Sequence, residues 1–474
     1  MRFPLPMKRA AFLLGAAALL AGCATMPDLG ARPSLRDAGT LGVVQSEPTG
    51  QWPGDGWWKD YGDAQLSALI EEGLAGSPTL AVADARARKA AGYATGAGAG
   101  LLPSLSANGQ VTEVKQSYNN GFPRQFVPKG FNDSGRFTLD LNYELDFFGK
   151  NRAALRAATS EREAALIEAR AARLALATSI AAAYADLARL AAQREVDVAA
   201  VKQREEVAAL VARRVVSGLD TRGEQRQADA AVPLARGDLA ATDEAIELTR
   251  NRLAALIGAG PERGAKIALP APRALPVPGL PTNLALDLVG RRADIAAARL
   301  RAEAASSRIT VARAGFYPNV NLMGFIGLQS LGLGNLTANG SEIGEAGAAV
   351  SLPIFSGGRI EGNYRTARAD YDEAVAQYDQ TLVRALNEVA DAAASQRALA
   401  TRQAEAHAAL AASEEAYAIA RRRYEGGLSP YLSVLTAQDA LLRNRQLVAA
   451  LDARALTLNV ELIRALGGGF STKA

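Results

Sequence analysis

The sequence predicts a mainly helical protein with a small β part of four strands, in which one arrangement of elements occurs twice. Three observations carry this: two very long stretches without a single Gly or Pro, one run of strict apolar and polar alternation, and a self-similarity with a period near 210 residues. The chain has 474 residues, 49% of them hydrophobic, enough to bury a large core.

The chain opens with Arg2, Lys8 and Arg9, an apolar run from Ala10 to Ala21, and Leu20 Ala21 Gly22 Cys23. A run of about 12 residues is too short to span a bilayer and fits the apolar stretch of an export signal. The four residues resemble the bacterial lipobox, in which the Cys thiol receives a diacylglycerol, the leader is cut before it, and the new amino group is acylated. Cys23 is the single cysteine of the chain, so an intrachain disulfide is excluded. Ala24 in place of Asp points to the outer membrane by the usual sorting pattern. Residues 1–22 are thus read as a leader and 23–55 as a lipidated linker.

The 53 basic and 49 acidic side chains give a net charge of +4, and removing the three basic residues of the leader leaves +1. No basic surface for nucleic acid follows from that balance.

Residues 150–217 and 363–425 contain only good helix formers and intermediate residues, with apolar positions such as Leu155, Ala158, Ala165 and Leu166 at helical spacing. At 1.5 Å per residue they run to about 100 Å and about 95 Å, lengths that need a coiled coil or a helical barrel around them. Shorter partners follow at 224–257 and 431–466. The turns between carry Gly218 in the first hairpin and Gly426 and Gly427 in the second, where glycine supplies the left-handed backbone that ends a helix. Pro233 and Gly237 predict a kink or break in the first partner.

From Phe137 to Phe147 odd positions are apolar and even positions polar, the pattern of a strand with lipid on one face and a wet lumen on the other. A half-buried strand of a soluble sheet gives the same alternation. Residues 105–112, 319–328 and 345–354 supply three partners, and 119–133 and 331–344 read as exposed loops.

Gly100 to Leu105 matches Gly315 to Val320, and Arg213 to Leu219 matches Arg422 to Leu428. The copies occupy residues 56–262 and 283–470, joined by a Pro-rich linker at 263–282 and followed by a tail at 471–474. Four strands cannot close a barrel whose edges must be satisfied inside lipid, so several chains must pool theirs.

A set of short motifs runs along the chain in order: Trp57 Trp58 Lys59 Asp60 Tyr61 Gly62 Asp63, Tyr143 to Lys150, Arg291 Arg292 Ala293 Asp294 Ile295, Phe316 Tyr317 Pro318, and Arg423 to Gly427 with Tyr431 and Leu432. Together they resemble one family, the outer-membrane factors of tripartite efflux, and within it the lipidated multidrug branch. Ala293 stands where the family has Pro, a change that a helix start tolerates. The resemblance implies a homotrimer with one 12-stranded outer-membrane β-barrel and a periplasmic α-barrel. Its implied partners are a periplasmic adaptor (membrane fusion) protein, an inner-membrane RND-type transporter and outer-membrane lipid. It implies a closed periplasmic tip with aperture positions at Tyr424, Leu432, Ser433 and Thr436. Relatives carry Asp at the last two, so an acidic ring is not expected here, and constriction falls to Tyr424 and Leu432. The first tip, with Asp220, Arg222 and Glu224, reads equally well as a charged surface turn.

No catalytic, metal or cofactor site is expected beyond the lipid on Cys23. His407 is the sole histidine and lies in a helix among alanines, there is no second thiol, and Gly96 to Gly100 lacks the Lys of a phosphate loop. Two other readings stay open, a type I protein-secretion duct and a lipid-anchored structural coiled-coil protein. The mature chain holds only Met26 and Met323, which argues against a methionine route for soft metal ions.

Overall fold

The computed structural model describes residues 26–41, 51–271 and 284–471. Cys23, the leader and most of the Pro-rich linker lie outside the described residues. The main elements are α1 (Ala64–Gly76), α2 (Pro78–Ala99), β1 (Ser104–Val114), β2 (Asn132–Leu145), α3 (Lys150–Val216), α4 (Arg222–Leu256), α5 (Pro261–Ala265), α6 (Leu284–Arg291), α7 (Ala293–Ala314), β3 (Asn319–Leu331), β4 (Glu342–Ser351), α8 (Arg359–Glu425) and α9 (Tyr431–Ala465). Two helices, two strands and a long helical hairpin thus occur twice in the same order.

The chain divides into two compact units. The first holds Met1–Leu35, Arg86–Ala165 and Ala298–Tyr378, and contains the sheet. Its order is β1-β2-β3-β4, antiparallel throughout, with the central β2 and β3 pairing residues such as Leu139 and Ile326. The outer edges of β1 and β4 have no partner strand among the described residues. Phe137, Leu139 and Leu141 are 51%, 40% and 43% exposed, so the alternating strand does not bury its apolar face under a soluble core. That face matches a lipid-facing band.

Strand bounds differ from the sequence reading at their ends. β2 begins at Asn132, inside the expected loop, because its pairing with β1 continues to Val114. It stops at Leu145 because the Asp146 carboxylate turns back to accept hydrogen bonds from the amides of Asn151 and Arg152, at 3.2 and 2.9 Å, capping α3. Phe148 then stacks on Tyr317, with ring centroids 4.6 Å apart.

In the same unit the segment after residue 25 lies along α8. Leu29 packs beside Ile309 and Tyr364, the Arg368 guanidinium donates to the carbonyls of Gly30 and Ala31, and the Tyr371 hydroxyl donates to Pro33 O at 3.0 Å.

The second unit holds Arg36–Ala85, Leu166–Ala297 and Asp379–Ala474. Its largest core gathers Trp57, Trp58 and Tyr61 with Leu66, Leu69 and Ile70 of α1 and with Ile180, Tyr184 and Leu187 of α3. The spacing of Leu66, Leu69, Ile70 and Gly73 puts one stripe of α1 inward. Asp63 begins that helix by accepting from Leu66 N at 2.9 Å, and its second oxygen accepts from the Tyr184 hydroxyl at 2.9 Å. Arg292, 7% exposed, forms ion pairs with Asp294 and Glu388, both at 2.7 Å, and donates to Ala465 O at 3.2 Å. The Arg-Arg-Ala-Asp motif is therefore a clamp between the start of α7, the middle of α8 and the end of α9.

Two expectations are corrected. Of the kink or break expected at Pro233 and Gly237, the break does not occur: α4 runs on through Pro233, with Ala228 and Ala235 on either side buried, so packing holds the helix past the one amide that proline removes. α8 starts at Arg359, before Gly362, because Gly357 and Gly358 with φ of 59° and 85° make the turn ahead of it.

Candidate functional site

Both hairpin turns lie in the second unit, and each is closed by a glycine with positive φ, Gly218 at 71° and Gly427 at 72°. Leu219 N reaches back to Arg214 O at 2.9 Å and Leu428 N to Arg423 O at 2.8 Å, the same six-residue closure at both tips. Gly426 is not among the glycines with positive φ, contrary to expectation. Its amide still follows the helix to Arg422 O at 3.0 Å, so one left-handed residue suffices to end α8.

The expected aperture residues do not share one surface. Tyr424 is fully buried and packs with Val207, Val211, Tyr431 and Val434. Its hydroxyl donates a hydrogen bond to the Asp220 carboxylate, and the Arg214 guanidinium sits over its ring at 4.5 Å. Arg214 Nε also donates to Asp220 at 3.0 Å, and the two side chains are 12% and 6% exposed. Burial first, then the hydrogen bond to Asp220, pushes the Tyr424 hydroxyl well above the ordinary tyrosine range. Reading Tyr424 as a pore-lining side chain is thus corrected. It instead joins the two hairpins, packing against Val207 and Val211 of the first and donating to Asp220 at its turn.

Leu432, Ser433 and Thr436 do lie together, on the exposed face of α9, one helical turn apart, while Tyr431, Val434 and Gln438 take the buried face. Leu432 is 60% exposed. The Thr436 hydroxyl is directed to Leu432 O at 2.9 Å, which leaves Ser433 as the polar side chain free for solvent on that face.

Asp220 is the residue the sequence named only as one of three charges at the first tip. The first tip looked like a charged turn, and Glu224 is that: it forms a reciprocal cap with Thr221, Thr221 N donating to its carboxylate at 2.8 Å and Glu224 N to Thr221 Oγ1 at 3.2 Å. Asp220 is instead buried against a tyrosine on the other hairpin, a partner that no local signal reveals. Further along, Arg204 donates to Gln438 Oε1 at 2.7 Å and pairs with Asp439, and Arg421 pairs with Glu206 at 3.5 Å. A ladder of cross-hairpin charge pairs therefore runs up from the tip. His407 lies on the exposed side of α8, 3.6 Å from Asp452.

Comparison with known proteins agrees with this architecture. The family described as "Outer membrane efflux protein" matches residues 69–259 and 284–468. The multidrug resistance outer membrane protein MdtP of Escherichia coli is 30% identical over 481 aligned positions, covering 97% of this chain and 96% of that one. The fusaric acid resistance protein FusA of Burkholderia cepacia is 33% identical, covering 75% and 68%. Among solved structures, the outer membrane protein VceC of Vibrio cholerae superposes with a TM-score of 0.83 at 45% identity, over 89% of this chain and all of that one. Long helical hairpins, four antiparallel strands and this likeness along nearly the whole chain lead to one conclusion: the chain belongs to the outer membrane efflux protein family and is a non-enzymatic outer-membrane efflux channel with a periplasmic extension.

Proposed function

We propose that the chain works as a homotrimeric exit duct for small molecules, fed by a periplasmic adaptor and an inner-membrane RND-type transporter. The observation that supports the trimer is the four-stranded sheet, whose two outer edges are unpaired among the described residues and whose apolar face is exposed. In lipid every strand edge needs a partner, and three chains would supply the twelve strands of one closed barrel. MdtP is named for multidrug resistance, which supports drug-like cargo.

In this reading residues 56–262 and 283–470 are the duplicated units. Leu432, Ser433 and Thr436 face the aperture, and Tyr424, Asp220 and Arg214 hold the two hairpins together while it is shut. Acylation of Cys23 would anchor the chain in the outer membrane. The segment from Leu29 to Pro33, held on α8 beside the strand-bearing part of the first unit, would start that tether close to the bilayer.

The test is the mass of the purified protein in detergent together with its conductance in planar bilayers. A trimer that conducts weakly, and more strongly once Tyr424 and Asp220 are substituted, is expected. A monomer would sink the proposal. For the anchor, Cys23→Ser should abolish incorporation of labelled fatty acid, and undiminished labelling would place the lipid elsewhere.

A further inference from the structure

Antiparallel pairing fixes which side chains share a face, because residues directly opposite one another point the same way. Leu139 and Ile326 are opposite, and so are Leu141 and Gly324, on the apolar face. The other face should be polar throughout, and on β2 and on β1 from Ser104 to Thr112 it is. On β3 it is not: Phe325 and Met323 stand on the polar face, where alternation calls for water-compatible side chains.

The surroundings of Phe325 are specific. Its partner on β2 is Asp140 and its partner on β4 is Glu345, while Asp140 is opposite Ser106 on β1. One row across four strands thus reads Ser106, Asp140, Phe325, Glu345, an aromatic ring between two carboxylates. Asp140 Oδ2 is fixed by Asn108 Nδ2 and by the Thr138 hydroxyl, both at 2.8 Å, which leaves Oδ1 without a protein partner among the described residues. Glu345 is exposed and forms no ion pair among the described residues. Met323, the next residue of β3 on this face, is 46% exposed.

One cation already visits the ring. The Arg136 guanidinium lies over Phe325 at 5.0 Å, reaching across a row whose β3 member is Gly327. A Cβ at Gly327 would come within 2.1 Å of Phe137 O and 2.8 Å of Thr138 Cα, so the strands approach closely there and nothing stands between Arg136 and the ring. The cluster therefore holds two carboxylates against one guanidinium, beside an exposed apolar strip. A ring quadrupole flanked by anionic oxygens favours cations that carry apolar surface.

We propose that this row is a contact site inside the duct for hydrophobic organic cations, ammonium or phosphonium ions bearing aromatic groups, present once per chain. Arg136 occupies the ring when no cargo is present and competes with it. Such a site must be weak, since a duct has to release what it attracts. The inference rests on the polar sheet face lining the lumen, as the efflux-channel fold implies.

The experiment measures equilibrium binding of tetraphenylphosphonium and tetraphenylborate, ions of one shape and opposite sign, to the purified full-length mature protein in lipid nanodiscs, with empty nanodiscs subtracted. The phosphonium should bind about 5-fold more tightly than the borate, and Asp140→Asn with Glu345→Gln should bring the two close to parity. Phe325→Leu should weaken phosphonium binding about 3-fold, and Arg136→Gln should strengthen it by removing the competitor. If Arg136 only packs against the ring for structural reasons, Arg136→Gln would leave binding unchanged or lower, and the competition would be refuted. Equal binding of the two ions to the unsubstituted protein, which needs no variant to fold, overturns the site. Labelling of Ser106→Cys by a charged maleimide separates the two possible failures. An unlabelled row would remove the lumen assignment itself, whereas a labelled row without sign preference would remove only this proposal.

Discussion

The Tyr424 hydroxyl donates to the Asp220 carboxylate and so joins the end of α8 to the turn between α3 and α4, residues 204 apart in sequence. Arg214 completes the triangle, pairing with Asp220 at 3.0 Å and covering the Tyr424 ring at 4.5 Å. In the proposed duct this buried link is the lock that holds the tip shut.

Tyr424→Phe keeps the ring, its burial and the guanidinium above it, and removes only the hydroxyl. Loss of a hydrogen bond to a charged group should weaken the lock by about 1.5–3 kcal/mol. Conductance and uptake of bulky antibiotics through the outer membrane should rise by an order of magnitude, and unchanged values would move the closure away from this pair. Leu432→Ala is the contrast. Exposed and outside the core, it should alter stability by no more than about 0.5 kcal/mol while still raising conductance.

The same pair predicts a pH response. The Tyr424 hydroxyl is raised above its unfolded value, so its contribution is complete below about pH 10 and is lost as pH rises through the folded value. The tip should stay locked through the neutral range and loosen only in strong alkali. Amide hydrogen exchange at residues 217–222 and 424–430, followed against pH in the native protein and in Tyr424→Phe, reads this directly. Alkaline loosening that persists in the phenylalanine variant would assign it to another group.

Arg292→Ala should be among the most damaging single changes in the helical unit. It takes the shared partner from Asp294 and Glu388, whose side chains are 43% and 30% exposed and can turn to water, a loss of about 1–3 kcal/mol. Burial works to raise the Asp294 carboxyl, but the Arg292 hydrogen bonds and charge outweigh it and hold it below the ordinary range. A depressed carboxyl adds stability above its unfolded value of about 3.9, and that stability fades as pH falls through the folded value. Thermal melts between pH 7 and pH 3 should therefore show an acid-labile component that Arg292→Ala removes.

Gly327→Val should prevent assembly of the β part, because even a Cβ would overlap Phe137 O at 2.1 Å and no flexible side chain can yield. The expected readout is loss of the heat-resistant oligomer on gels. Gly347→Ala, with open space around it, should assemble normally and serves as the control.

Much of this architecture was legible in the sequence because it is local. A stretch such as residues 150–217 without Gly or Pro has few alternatives to one helix, Gly218 and Gly427 mark where the chain reverses, and the alternation from Phe137 names a strand with one apolar and one polar face. Even Pro233 was visible, although the break it allowed does not occur: neighbouring packing, absent from any local rule, kept α4 continuous.

The sequence by itself determined the elements, their duplication and the need for several chains, since helix propensity, strand alternation and the count of strand edges are properties of consecutive residues. Only the tertiary structure decided which residues meet. Tyr424 was expected at a surface and lies in the core, Asp220 read equally well as part of a charged surface turn and is its partner, and Phe325 comes to stand between Asp140 and Glu345 through pairings that join β2, β3 and β4. Contacts across some 200 residues depend on how whole hairpins and strands dock, and the free energy that selects them is spread over packing far from either residue.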